Sequence, residues 1–246
     1  MDNFVSKIKY GFTLAEVLIT LVIVGIVAAL TIPVVVQNSW DKATVTALKK
    51  NFNVFGNALK MAAAFNGDIY SWSFSDYLYT PENTSEEKNL HTLNIDPFVN
   101  KLQISKDCGH GANGCFEHRY TRLAGGTERD FENLSYYRKA VLNDGTLIAV
   151  QGYGFGSSGN IPETCGEIWV DINGAKKPNV VDRDMFLLLI NCDGMIVPYG
   201  LSGLQTTNSI TKSNINYKGA GWVLNKENID YLHCDGLSWS GKSSCF

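Results

Sequence analysis

Four residues between positions 108 and 118 have the types and spacing of a zinc site. Cys108, His110, Cys115 and His118 read as C-x-H-x4-C-x2-H, and two thiolates with two imidazoles form a common tetrahedral zinc ligand set. The same residues suit a small disulfide-closed loop that carries two surface histidines. Outside the cytoplasm the disulfide is the favoured interpretation, because an oxidising compartment pairs thiols. The chemistry of this loop therefore depends on the compartment in which it lies.

The cysteine count agrees with an oxidising compartment. The chain has six cysteines, all after position 100: Cys108, Cys115, Cys165, Cys192, Cys234 and Cys245. An even set of six allows 15 pairings, so the sequence cannot fix the connectivity. Short loops favour 108–115 and 234–245, which leaves 165–192 as the third pair.

Hard oxygen donors are concentrated in the segment DINGAKKPNVVDRD. Asp171, Asn173, Asp182 and Asp184 lie in and after one loop, and oxygen ligands of this type suit calcium. The segment lacks the full EF-hand pattern, and Asx-Gly turns by themselves account for Asp171 to Gly174. We keep these four residues as candidate calcium ligands and assign no cofactor.

No other pattern predicts an enzyme. Gly154 to Gly159 spell G-x-G-x-x-G, but a dinucleotide site needs a helix and a βαβ unit next. The segment NIPETCG follows instead, which indicates a flexible loop. The sequence has no nucleophile-elbow motif, and its four histidines form no convergent signature. The formal net charge of −3 also argues against an electrostatic nucleic-acid binder, so no nucleic-acid partner is evident.

The elements that would hold these residues are strands, which dominate from about position 136. YYRKAVLNDGTLIAVQG reads as strand, turn and strand, a strong hairpin signal. The segment up to residue 200 predicts three more strands, giving an antiparallel sheet over 136–200. Residues 67–135 read as a loop-rich connection that includes the polar stretch YTPENTSEEKN. Residues 201–246 read as a C-terminal region that ends in a cysteine-bounded loop.

An amphipathic helix is expected before these strands, over residues 37–66. Apolar side chains recur every three or four residues, at Val45, Leu48, Phe52, Phe55, Leu59 and Ala62, which is one face of a helix. The sequence Asn66-Gly67-Asp68 ends it. This face would pack against one face of the sheet, which predicts an α+β head.

The residues before this helix form a long apolar run. From Phe12 to Val36 the only charged residue is Glu16. At 1.5 Å per residue the run reaches roughly 37 Å, which exceeds the roughly 30 Å hydrocarbon core of a bilayer. It is too long for an ordinary signal peptide and no A-x-A-like cleavage site follows it. Pro33 lacks a backbone donor and predicts a kink in the spanning helix.

The start of the chain combines MDNFVSKIKYG with FTLAEVLITL. A short leader with Lys7 and Lys9 and a glycine at position 11 precede the apolar run, which opens with Phe12 and carries Glu16 as its fifth residue. This combination resembles the type IV pilin and type II secretion pseudopilin class of prepilin-like proteins. The resemblance implies that a prepilin peptidase cuts between Gly11 and Phe12 on the cytoplasmic side and that Phe12 is then N-methylated.

The resemblance also implies a role for Glu16. Cleavage creates an α-amine on Phe12 with a pKa of about 7.7–8, so it is mostly positive. An unpaired carboxylate among apolar groups costs a few kcal/mol, and it can be offset by the Phe12 amine of a neighbouring subunit. In the class this contact sets the register of subunits during assembly.

The overall expectation is a pilin-like α+β protein. It comprises a leader over 1–11, a transmembrane helix over 12–36, its amphipathic continuation over 37–66 and a globular head over 67–246. DINGAKKPNVVDRDMF, INCDGMIVPYG and the cysteine-bounded C-terminal loop also look like head regions of the class.

The implied function is that of a structural filament subunit, in a type IV pilus or a type II secretion pseudopilus. The alternative is a minor, tip-located pilin whose head binds DNA, a surface or secreted cargo. Implied partners are the prepilin peptidase, copies of the chain or related pilins, an inner-membrane assembly platform and the lipid bilayer. The implied location is the bacterial inner membrane with the head outside the cytoplasm, followed by the filament.

Overall fold

The computed structural model describes residues 11–79, 90–153, 164–201 and 208–245. Most of the predicted leader (including Lys7 and Lys9), most of the polar stretch at 79–89 and the G-x-G-x-x-G segment at 154–159 lie outside the described residues. The chain divides into two compact units, residues 1–42 and 43–246, and each is described by itself. The first helix contributes to both.

The described elements follow the chain in a simple order. The helices are α1 Leu14–Asn66, α2 Asp96–Val99 and α3 Gly219–Lys226. The strands of the two small two-stranded sheets are β1 Phe74–Tyr79 with β2 Leu90–Leu93, and β11 Ser209–Ile210 with β12 Leu237–Ser238. The strands of the main sheet are β3 Ile104–Gly109, β4 Thr121–Arg122, β5 Arg138–Leu142, β6 Leu147–Gly152, β7 Thr164–Asp171, β8 Val180–Val181, β9 Met185–Asn191 and β10 Ile196–Pro198.

The α1 helix follows the sequence prediction closely. It continues through Pro33, although proline has no N–H to donate to the carbonyl four residues earlier. The predicted kink at Pro33 stays a prediction. The helix ends at Asn66 because Gly67 adopts a left-handed φ of 77°, the conformation that commonly closes a helix. In the first unit the side chains of α1 from Leu14 to Val36 are almost all exposed.

The second part of α1 packs on the head along one stripe. Its buried residues are Thr44, Leu48, Asn51, Phe55, Ala58, Leu59 and Ala62. Phe55 meets Phe98 of α2 edge to face, with ring centroids 6.2 Å apart. Asn51 Nδ2 lies 3.4 Å from Thr146 Oγ1, just before β6. The expected apolar face is therefore correct in the main, while Val45 and Phe52 lie at its margin and are half-buried.

The main sheet has eight strands in the order β3-β5-β6-β7-β9-β8-β4, with β10 also paired to β9. The predicted hairpin is β5–β6, whose turn contains Gly145 at a φ of 88°. The sheet is mostly antiparallel, but β8 runs parallel to both β9 and β4. The prediction of a purely antiparallel sheet over 136–200 is thus corrected in two ways. The sheet contains the parallel strand β8, and it includes β3 and β4, which lie in the segment predicted as a loop-rich connection. An exposed edge strand such as ISKDCG and two-residue strands leave no alternating pattern to find.

Both faces of the central strands are buried, whereas only one was expected to be. All residues of β6 and β7 are buried. One face carries Trp169 and Leu187, which pack with Phe116 and Phe131 from the segment between β3 and β5. Because side chains alternate along a strand, residues such as Ile168 lie on the other face. A second layer therefore covers the sheet opposite the first.

Three disulfides stabilise the head. They join Cys108–Cys115, Cys165–Cys192 and Cys234–Cys245, the pairing that short loops favour. The middle pair links the start of β7 to the residue after β9, with Cα atoms 4.9 Å apart. No cysteine is free, which fits an oxidising compartment.

Candidate assembly site at the start of the helix

The first turn of α1 is closed by a reciprocal pair, Thr13 and Glu16. The Thr13 backbone N–H donates to Glu16 Oε2 at 2.8 Å, and the Glu16 backbone N–H donates to Thr13 Oγ1 at 3.2 Å. The Thr13 hydroxyl also donates to Glu16 Oε2 at 2.8 Å. This is a capping box, in which two backbone donors that the helix leaves unpaired are satisfied by side chains.

The predicted cleavage junction lies just outside this cap. Gly11, Phe12 and Thr13 are not helical, and the Phe12 side chain is 88% exposed. Gly11 and Phe12, the residues of the predicted cleavage site, therefore lie just before the helix, and Glu16, the predicted assembly residue, lies in its first turn. Thr13 was missed by the sequence reasoning, although Thr-x-x-Glu before an apolar run is itself a helix-start signature.

The helix that follows has the properties of a membrane span by length and composition. None of the residues in its most apolar stretch is buried among the described residues. An exposed apolar surface of this size needs lipid or another protein to cover it. Thr20 and Thr31 satisfy their hydroxyls within the helix, on the carbonyls of Val17 and Val27 at 2.9 Å each.

Residues 6–32 match the prokaryotic N-terminal methylation motif. The N-terminal segment is that of a type IV pilin-like prepilin. The matched residues include Gly11, Phe12 and Glu16, and the apolar helix of the prepilin begins within them. A prepilin motif implies processing by a prepilin peptidase and assembly into pilus-like filaments, and it fits anchoring in the inner membrane. No curated protein and no solved structure shows significant similarity to the chain.

The zinc-like set in the head is divided between a disulfide and two separate histidines. Cys108 and Cys115 are bonded to each other, so their thiolates are not available to a metal. His110 Nδ1 lies 2.9 Å from the carbonyl oxygen of Ser135, and His118 Nε2 lies 2.8 Å from the hydroxyl of Tyr120. This arrangement is the disulfide loop that the sequence favours outside the cytoplasm.

The candidate calcium residues fall into two groups. Asp184 accepts backbone N–H bonds from Asn179 at 2.8 Å and Val180 at 2.6 Å, and an amide N–H of Asn173 at 3.3 Å. Asp171 accepts the hydroxyl of Tyr120 at 2.5 Å and the backbone N–H of Asn173 at 3.1 Å. Burial, aided by the charge of Asp171, raises the pKa of Asp184 to about 6.

Asp182 belongs to a different contact. Its carboxylate accepts the backbone N–H groups of Tyr217 and Gly219. Two buried amide oxygens near Asp184, on Asn173 and Asn179, have no hydrogen-bond partner among the described residues. The described part of the chain contains no group of three His, Cys, Asp or Glu residues suited to a metal. Asp171, Asn173, Asp182 and Asp184 stay candidate ligands, and no cofactor is assigned.

The parallel pairing of β4 with β8 creates a cationic edge that the sequence does not reveal. Thr121 pairs with Val180 and Arg122 with Val181, which places the residues that lead into β4 beside the residues that lead into β8. Residues 118–127 and 172–181 contain no acidic residue, although the exposed Glu117 directly precedes the first range and the buried Asp182 directly follows the second. We call the exposed set Arg119, Arg122, Lys176 and Lys177 the cationic edge. Arg122 is paired with the buried Glu128 at 2.8 Å; the other three form no ion pair with a described residue.

Proposed function

We propose that the chain is a structural subunit of a type IV pilus or type II secretion pseudopilus and has no enzymatic activity. It would be made as a prepilin, cleaved between Gly11 and Phe12, N-methylated at Phe12 and polymerised through α1. The observation that carries this proposal is the methylation motif at the start of an exposed apolar helix with one acidic side chain. An apolar helix stays in the bilayer or packs with other helices, and a lone carboxylate there requires a partner.

The partner follows from the chemistry of cleavage. Before cleavage the nitrogen of Phe12 is a neutral amide, and afterwards it is an amine with a pKa of about 7.7–8 that carries a positive charge. In a filament this charge on one subunit pairs with Glu16 of its neighbour. Each subunit then supplies one charge to the subunit on either side, which is a head-to-tail contact that does not close on itself and so extends a filament.

The experiment compares filament formation by Glu16→Ala, Glu16→Gln and the control Thr20→Val, one turn further along the same helix. Filaments are collected by shearing and the remaining subunit is measured in membranes. We expect both Glu16 variants to be stable in the membrane and absent from filaments, with the control assembled. Normal filaments from Glu16→Ala would exclude the pairing.

A second candidate function is that of a minor subunit at the filament tip, whose head binds DNA, a surface or secreted cargo. The cationic edge supports it, since Arg119, Lys176 and Lys177 are exposed, form no ion pair with a described residue and would attract an anionic partner. Counting subunits separates the candidates: copies along the whole filament indicate a major subunit, and a few copies at one end indicate a tip protein. In the second case, Lys176→Glu with Lys177→Glu should weaken partner binding, and Lys212→Glu should leave it unchanged.

The proposed location is the inner membrane with the head outside the cytoplasm, before incorporation in the filament. Three disulfides in the head support this orientation, because thiols in the cytoplasm are kept reduced. The assembly platform of the inner membrane would be the partner that extracts the subunit.

A further inference from the structure

We propose that Thr13 is a positioning residue for prepilin processing. Its capping box makes Leu14 the first residue of the helix and so keeps the Gly11–Phe12 bond outside the helix. The proposal rests on the proposed cleavage after Gly11. It assigns Glu16 a task before assembly, as one half of the cap. Thr13 itself takes no part in the chemistry of cleavage.

The geometry gives each group one function. The Thr13 hydroxyl accepts the Glu16 N–H, and the Glu16 carboxylate accepts the Thr13 N–H, so the helix has a fixed first residue. Val17 N then bonds Thr13 O at 3.2 Å, the first helical bond of α1. Gly11 and Phe12 precede it in non-helical conformation.

A helical scissile bond would be a poor substrate. The carbonyl of a helical residue is bonded four residues ahead, and peptidases cut exposed, unfolded segments in preference to ordered ones. Without the cap, the first N–H groups of the helix would have no acceptor inside the apolar layer. Extension of the helix towards Gly11 would satisfy them and would move the unpaired N–H groups to residues nearer the water, so removal of the cap favours extension. The cap opposes that extension by about 1 kcal/mol, which is about fivefold in population.

Cleavage then changes what the same carboxylate can bind. Water adds across the Gly11–Phe12 bond: the C–N bond breaks, Gly11 keeps the hydroxyl oxygen as a carboxylate, and Phe12 nitrogen becomes an ammonium group. This new cation lies one residue before Thr13, whose N–H already holds the Glu16 carboxylate. The cap thus holds Glu16 at the same end of the helix as the new ammonium group, which in the proposed filament pairs with Glu16 of a neighbouring subunit.

Three variants separate positioning from charge. Thr13→Val keeps the shape of the side chain and removes the hydroxyl, and Thr13→Ser restores the hydroxyl. Glu16→Gln removes the charge but retains an acceptor, since glutamine also completes a capping box. Each full-length precursor is followed by pulse-chase in cells that contain the prepilin peptidase, and loss of the leader is timed by gel mobility.

We expect Thr13→Val to be cleaved more slowly than the native chain, by a factor of up to about five, the limit set by a cap of about 1 kcal/mol. Thr13→Ser and Glu16→Gln should be cleaved at close to the native rate, although Glu16→Gln should not assemble. NMR chemical shifts of the precursor in micelles should place the helix start before Leu14 in Thr13→Val only.

Two results would overturn the proposal. One is cleavage of Thr13→Val at the native rate, and the other is slow cleavage with an unchanged helix start. A native precursor that is never cleaved would instead remove the proposed function, so the two failures are distinguishable.

Discussion

The Asp182 carboxylate lies 2.9 Å from the backbone nitrogen of Gly219, the first residue of α3. The same carboxylate accepts the N–H of Tyr217 at 2.8 Å, and the carbonyl of Asp182 accepts the hydroxyl of Tyr231 at 2.6 Å. One buried residue from the turn between β8 and β9 therefore holds the start of the C-terminal helix. Gly219 has to be glycine because a Cβ there would lie 2.7 Å from Asp182 Oδ1.

Replacing Asp182 with alanine should destabilise the head. Both N–H groups would lose their acceptor in a buried place, and an unsatisfied buried donor costs about 1–3 kcal/mol. We expect Asp182→Ala to lower the free energy of unfolding by about 2–4 kcal/mol at pH 5, measured by chemical denaturation of the full chain in detergent. The control Asp235→Ala removes an exposed carboxylate and should stay within about 0.5 kcal/mol of the native chain.

The penalty of that substitution should depend on pH. Burial raises the pKa of Asp182 to about 7, from an ordinary value near 3.9. Because the folded carboxyl holds its proton more tightly than the unfolded one, its contribution to stability is full below about pH 4 and is lost as the pH rises to about 7. The difference between native and Asp182→Ala should therefore shrink across this window. A constant or growing difference would contradict the raised pKa.

Lys139 should act as a structural cation. Its side chain is fully buried, and its ammonium group donates to the carbonyls of Phe131, Glu132 and Leu134 at 3.1, 2.7 and 3.2 Å. Lys139→Met keeps the apolar length and removes all three donors. We expect a loss of about 2–3 kcal/mol at pH 7, since hydrogen bonds from charged donors are worth more than neutral ones.

The matched control for Lys139 is Lys60→Met, because Lys60 is exposed on α1. It should change the free energy of unfolding by less than about 0.5 kcal/mol. Equal free energies of unfolding for Lys139→Met and Lys60→Met would contradict the prediction, because the carbonyls of Phe131, Glu132 and Leu134 would then have other donors.

The three disulfides should differ in their contribution to stability. Cys165–Cys192 closes a loop with a sequence separation of 27, and Cys108–Cys115 one of 7. A disulfide restricts the unfolded chain more when it closes a longer loop. We therefore expect replacement of Cys165 and Cys192 by alanines to lower the free energy of unfolding by about 1 kcal/mol more than replacement of Cys108 and Cys115. Denaturation curves of the two double variants provide the comparison. The opposite order would indicate that strain or packing in the native state outweighs chain entropy.

Calcium is tested by thermal unfolding with and without the ion. The oxygens of Asp171 and Asp184 already accept protein N–H and O–H donors, so we expect the Tm to be the same in calcium and in EDTA. A rise of several degrees in calcium that is lost in Asp184→Asn would contradict this and assign the ion to the loop that contains the unpartnered oxygens of Asn173 and Asn179.

Long, regular features were predictable from the sequence. Fifty-three residues of α1 follow from an apolar run and an apolar stripe with a period of 3.6, and β5–β6 follows from a turn that needs Gly145. The strands β3, β4 and β8 were not predictable, because an edge strand and two-residue strands are stabilised by their partners and not by their own pattern. The α3 helix, with its glycines, depends in the same way on Asp182.

The sequence by itself determined the assembly segment, because its chemistry is local. The residues to which we assign cleavage and assembly, Gly11, Phe12, Thr13 and Glu16, lie within six positions, so the helix start, the proposed scissile bond and the lone carboxylate of the apolar run can all be derived from neighbouring residues. Only the tertiary structure decided the surface of the head. The cationic edge joins residues about sixty positions apart through the parallel pairing of Thr121 with Val180, and such non-local pairing is set by the packing of the whole sheet.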